Sequence, residues 1–170
     1  MKINTSLSRS LFCVFLAASL FAACAKPELS PEEQVRLRIH ELEELVRKGE
    51  LSKLKEAVSE VYQDSRGQDK EAMDGLLTYW FLKNKKSYVL TRMVSVTVQE
   101  PNLVHTDFFA VLAGSPVVGL EDLSKLQGDI FRFEILWLLE GETWNLVEAD
   151  WHFATQEDLQ AFWGDEEVEE

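Results

Sequence analysis

Cysteine is nearly missing from this chain. Its 170 residues hold two, Cys13 and Cys24, and no thiol follows position 24. A disulfide or a cysteine-ligated metal is therefore excluded from the rest of the chain. Histidine is as scarce. His40, His105 and His152 stand far apart, with no paired spacing such as H-x-x-x-H, so no metal site is expected. No glycine-rich phosphate loop and no serine nucleophile turn occurs. No motif calls for a cofactor. Basic residues are outnumbered, 17 against 30 acidic, for a formal net charge of −13. That balance repels nucleic acid and anionic lipid headgroups.

Long apolar runs are lacking too. The longest, Leu11 to Ala23, falls short of the roughly 20 residues a membrane span needs. Lys2 and Arg9 precede it, and small residues close it. A basic leader, a short apolar stretch and a small-residue end make a secretory signal. Cys24 directly after Ala22-Ala23 makes the segment resemble a bacterial lipoprotein signal, with Phe21 where an aliphatic residue is usual. Ordinary cleavage at Ala23-Cys24-Ala25 is the rival reading. The resemblance implies a signal peptide over 1–23, a lipid such as palmitate on Cys24, and a tether over 24–30. Ala25, which is not Asp, implies the outer membrane, facing the periplasm. Attachment would then come from acyl chains, since the chain offers no basic patch.

What remains is roughly 150 residues, the size of one domain. Ser30-Pro31-Glu32-Glu33 opens a helix with a capping box, and Val35, Ile39, Leu42 and Val46 follow at helical spacing until Gly49. A second helix carries Leu51, Leu54, Val58 and Val61. Asp64 to Asp69 lacks the ligand order of a calcium loop and reads as a turn in which Asp69 caps a third helix. Met73, Leu76, Leu77, Trp80 and Phe81 mark that helix's buried side. The period then changes to alternation over 89–98, 104–113, 130–139 and 144–153, four strands. Leu120, Leu123 and Leu126 sit in the connection over 114–128. Thr155 to Asp158 looks like a capping box for a last helix with Leu159, Phe162 and Trp163, and 164–170 reads as an acidic tail.

Helices followed by an antiparallel meander predict an α+β domain over 31–163, its N-terminal helices packed on a curved sheet of four or more strands. The order of elements and the closing Gly141-Glu142-Thr143-Trp144-Asn145-Leu146-Val147-Glu148-Ala149-Asp150-Trp151 are similar to nuclear transport factor two-like domains. A cystatin-like fold is the alternative. The resemblance implies a cone-shaped fold of the kind shared by ketosteroid isomerases, scytalone dehydratases, limonene epoxide hydrolases and polyketide cyclases.

Parity on the third strand separates Phe131, Phe133, Ile135, Trp137 and Leu139 from Arg132, Glu134, Leu136 and Leu138. The aromatic set should face the helices. A turn with an odd number of residues would align Val147, Ala149, Trp151 and Phe153 with it. Arg132 would then meet Asp150 or Glu148, and Leu136, Leu138, Trp144 and Leu146 would share the outer face. Such a patch suits a dimer interface, or a surface under the last helix. Catalytic relatives of the cone fold keep an acid or base inside it. His105 and Asp107 share a strand face and are the candidates, with Tyr62, Tyr79 and Arg92 as possible pocket residues. The leading expectation is a non-catalytic, lipid-anchored envelope protein that binds a small apolar ligand or a protein partner. A small-molecule isomerase, dehydratase or hydrolase, and a dimeric structural component, are the alternatives.

Overall fold

The computed structural model describes residues 29–84, 88–113, 129–158 and 160. The leader with Cys24, most of the tether, Leu120, Leu123, Leu126, Leu159, Phe162, Trp163 and the acidic tail lie outside them.

Three helices precede four strands: α1 (Pro31–Lys48), α2 (Leu51–Glu56), α3 (Lys70–Lys83), β1 (Tyr88–Glu100), β2 (Leu103–Ala113), β3 (Asp129–Glu140) and β4 (Thr143–Phe153). The capping box forms as its residues predict. Ser30 Oγ accepts from the Glu33 amide, and the Glu33 carboxylate accepts from the Ser30 amide. Gly49 closes α1 at φ 72°, a left-handed conformation that suits glycine. Asp69 caps α3 by accepting from the Ala72 amide at 3.1 Å.

The second helix is shorter than its periodicity suggests. It ends at Glu56, and Val58 pairs with Leu146 in a parallel bridge. The Leu146 amide donates to Ala57 O and the Ser59 amide to Leu146 O, both at 2.9 Å. These bonds cover the open edge of β4, so the backbone is recruited away from the helix. Val61 is left exposed.

The strands form one antiparallel sheet in the order β1-β2-β3-β4. The helices pack on the face that carries Val104, Thr106, Phe108, Phe133, Ile135 and Trp137. Trp137 is fully buried and donates its indole N–H to Thr106 Oγ1 at 2.9 Å, which satisfies its one polar atom.

The hairpin register departs from the odd-turn expectation. Glu140 pairs with Thr143, so the turn has two residues, Gly141 (φ 66°) and Glu142. A register shift between Leu136 and Trp137 then restores the expected alignment further along. Beyond the shift, Ala149, Trp151 and Phe153 lie opposite Ile135, Phe133 and Phe131. Next to the turn, Trp144 and Leu146 lie opposite Leu139 and Trp137 and so join the core. The bulge lets both ends of β4 bury their apolar residues while Glu148 and Asp150 stay opposite Leu136 and Glu134 on the outer face. Trp144 is buried, and its N–H meets Gln34 Oε1 at 2.9 Å. The four-residue outer patch is thereby reduced to Leu136 and Leu138.

Candidate apolar cavity

The inner face of the sheet is not filled by the helices. A cavity of about 300 Å³ remains between them. Ile39, Leu42 and Val46 of α1 and Leu77, Trp80 and Phe81 of α3 form one wall. Phe108, Phe131, Phe133, Trp137 and Trp151 of the sheet form the other. The aromatics interlock around it. Phe108 stacks on Phe133 at 5.5 Å between centroids, and Trp80 meets Phe81 edge-on at 5.1 Å. Leu76 stands at the cavity and is partly exposed, which suits a residue on its border.

Among the described residues one ionisable side chain lines this space, Glu43 of α1. Its Oε1 accepts from the Thr91 amide at 3.0 Å and the Thr91 hydroxyl at 2.5 Å, and its Oε2 lies 3.0 Å from His40 Nδ1. β1 is an edge strand, and Glu43 takes one of its outward N–H groups. Sequence reasoning missed this residue. The signal was present, because Glu43 follows Ile39 by four positions and therefore shares the apolar stripe of α1.

The candidate pair His105 and Asp107 does not enter the cavity. His105 lies opposite Leu136 and Asp107 opposite Glu134, on the outer face. The reason is parity, since Val104, Thr106 and Phe108 occupy the inward positions. Arg92 lies opposite Phe109 on that same outer face, and Tyr79 is exposed. Tyr62 is buried near Ala149, and burial pushes its phenol well above the usual range, so it stays neutral.

Asp107 instead belongs to an ionic network on the outer face. Arg132 grips it with two bonds, Nε to Oδ1 at 3.0 Å and Nη2 to Oδ2 at 2.6 Å. Arg132 Nη1 also reaches Asp158 Oδ1 at 2.7 Å. Asp158 Oδ2 accepts from the Thr155 amide and hydroxyl, and lies 3.1 Å from His152 Nε2. The Thr155 amide, aided by Arg132, holds the Asp158 carboxyl below the usual carboxylate range. The expected partners of Arg132, Asp150 and Glu148, are replaced because Asp107 and Asp158 are nearer and more buried. Asp150 accepts from Ser65 instead. Every oxygen of Asp107 and Asp158 is engaged, so this network holds structure and has no free base to offer. Among the described residues no group of side chains could hold a metal ion, and no helix is long and apolar enough to cross a membrane.

The sequence matches no protein-family model and no curated protein. Solved structures do match. A dehydratase candidate of the NTF2-like family from Streptomyces avermitilis aligns with a TM-score of 0.55 and 13% identity, over 70% of this chain and 93% of its own. An NTF2-like protein from Shewanella oneidensis aligns with a TM-score of 0.53 and 10% identity, over 71% and 98%. The fold is that of a nuclear transport factor two-like domain. A domain of cystatin-like fold from Nostoc punctiforme aligns with a TM-score of 0.57 and 11% identity, over 81% and 86%. Bd1075 from Bdellovibrio bacteriovorus aligns with a TM-score of 0.54 and 11% identity over 72% of this chain, which spans 40% of that protein. At such identities the likeness is one of fold, and the site must be argued from its own residues.

Proposed function

We propose that this chain is a lipid-anchored envelope protein whose nuclear transport factor two-like domain binds a small apolar molecule without transforming it. The observation that carries the reading is the hollow inner face, walled by aromatic and aliphatic side chains and left with space for a ligand. A preformed apolar cavity of this size falls at the lower end of small-molecule sites. Catalysis is disfavoured because, among the described residues, Glu43 is the one carboxylate at the wall and no second acid or base lines the space beside it. Proton transfer to and from a bound molecule draws on an acid and a base within reach of it. The anchor rests on the resemblance of the leader to lipoprotein signals, and Cys24 would supply the attachment that an acidic domain cannot.

Two measurements test these parts separately. Ala110 lines the cavity from β2, and Ala110→Phe would project a ring into it. Wild type should bind a neutral probe such as 1-naphthalenemethanol by calorimetry, and the variant should not. Equal binding by both would exclude the cavity as the site. Cys24→Ala should move the protein from the membrane fraction to the soluble one, and persistence at the membrane would overturn the lipid anchor.

A dimeric role keeps a narrower footing. Leu136 and Leu138 remain together on the outer face, half-buried, while Trp144 and Leu146 are withdrawn from it.

A further inference from the structure

Glu43 stands out against its surroundings. Its side chain is 18% exposed, it lines an otherwise apolar cavity, and no lysine or arginine pairs with it among the described residues. The neighbouring cations are committed elsewhere. Arg47 pairs with Glu44, and Arg38 with Glu41 and the Trp144 carbonyl. Its ion-pairing partner is His40, whose own side chain is 71% exposed and which is charged only when protonated. The Thr91 amide and hydroxyl fix the carboxylate in place through Oε1. A negative charge is thus held rigidly at the border of a low-dielectric space.

Such a charge discriminates between ligands. An anionic head that enters beside it meets like-charge repulsion in a medium that screens poorly. A neutral hydroxyl or an ammonium meets no such penalty and can donate to Oε2, taking the place of an exposed histidine. We propose that Glu43 makes the cavity selective by charge, admitting apolar bodies with neutral or cationic heads and rejecting carboxylates such as fatty or aromatic acids. The proposal rests on the ligand-binding reading above and names the class of ligand.

The test uses the full chain and three probes that share one aromatic body: 1-naphthalenemethanol, 1-naphthylmethylamine and 1-naphthoate. On wild type, titration calorimetry should find naphthoate weaker than the alcohol by about tenfold or more, the scale of one unfavourable charge contact. The amine should bind at least as tightly as the alcohol. Glu43→Gln keeps an acceptor for Thr91 and removes the charge, and it should narrow the gap between alcohol and naphthoate to less than about threefold. Naphthoate binding as well as the alcohol on wild type would overturn the proposal. So would an undiminished gap in a folded Glu43→Gln protein. If the variant folds poorly, the wild-type amine decides the matter. Burial alone would weaken both charged heads. An amine much weaker than the alcohol would therefore overturn the proposal, and an amine level with it while naphthoate falls would support it. Failure of the alcohol to bind at all would overturn the cavity reading itself, a result distinct from loss of selectivity alone.

Discussion

Replacing Arg132 by methionine should destabilise the domain by about 2–3 kcal/mol at pH 7. The methionine keeps a flexible apolar stem, so the change isolates the charge. Three hydrogen bonds disappear, at 3.0, 2.6 and 2.7 Å. Bonds to charged groups contribute about 1.5–3 kcal/mol each, and breaking a buried ion pair costs about 3–5 kcal/mol. The Arg132 side chain is 30% exposed, so water can partly replace it and the lower figure applies. Most of the loss should come through Asp107, whose side chain is 12% exposed and whose two bonds among the described residues both come from Arg132. Asp158 keeps the Thr155 amide and hydroxyl. Urea unfolding followed by tryptophan fluorescence would read this as a midpoint lowered by about 1–2 M with an unchanged slope. Adding Asp107→Asn to Arg132→Met should then restore part of the loss, because the stranded charge is gone. A loss below about 0.5 kcal/mol would refute the network's role, since exposed pairs contribute that little. A double variant no more stable than Arg132→Met would refute the argument about Asp107.

Two further outcomes follow from single residues. The Asp158 carboxyl is held below its unfolded value, so the stability it contributes is present above about pH 4 and is lost as pH falls towards its folded value. Acid titrations of unfolding free energy should be flatter below pH 4 for Asp158→Asn than for wild type, and parallel curves would contradict the shift. Gly141 sits at φ 66° in the two-residue turn, and an L side chain there costs about 1–2 kcal/mol. Gly141→Ala should lower the thermal midpoint by several degrees in calorimetry, and an unchanged midpoint would mean the turn tolerates a different conformation.

The sequence revealed most of the frame because the frame depends on local chemistry. Ser30, Gly49 and Asp69 act within a few residues of themselves, and the alternation of β3 survives in any register. Register itself is a long-range matter. Whether Trp144 faces in or out depends on a bulge near Val147, which the alternation of β4 cannot reveal. The same limit left the placing of His105 and Asp107 open. Their shared face was legible, but which face pointed inward depended on Val104, Thr106 and Phe108 pairing opposite Trp137, Ile135 and Phe133. Glu43 was legible in principle as the one acid in the apolar stripe of α1. The cavity was not, because emptiness between packed elements leaves no mark in composition or periodicity.

That emptiness is itself an argument about purpose. A sealed void of about 300 Å³ would forgo about 7 kcal/mol at roughly 24 cal/mol per Å³, comparable to the whole stability of a typical domain. Water entering the space lowers that figure, so it is an upper bound. Even a fraction of it is a cost that closer packing of these side chains would remove. Ala110 sharpens the point, being a small residue beside Phe108, Phe131 and Phe133 on the sheet wall. If the space is kept for a ligand, filling it should separate stability from binding. Ala110→Phe should leave the thermal midpoint unchanged or raise it, with a gain of up to about 2 kcal/mol, while abolishing probe binding. A midpoint that falls sharply would mean the space is already needed by its walls, as overpacked cores show. The hollow would then be a by-product of packing, and the case for a ligand would fall with it.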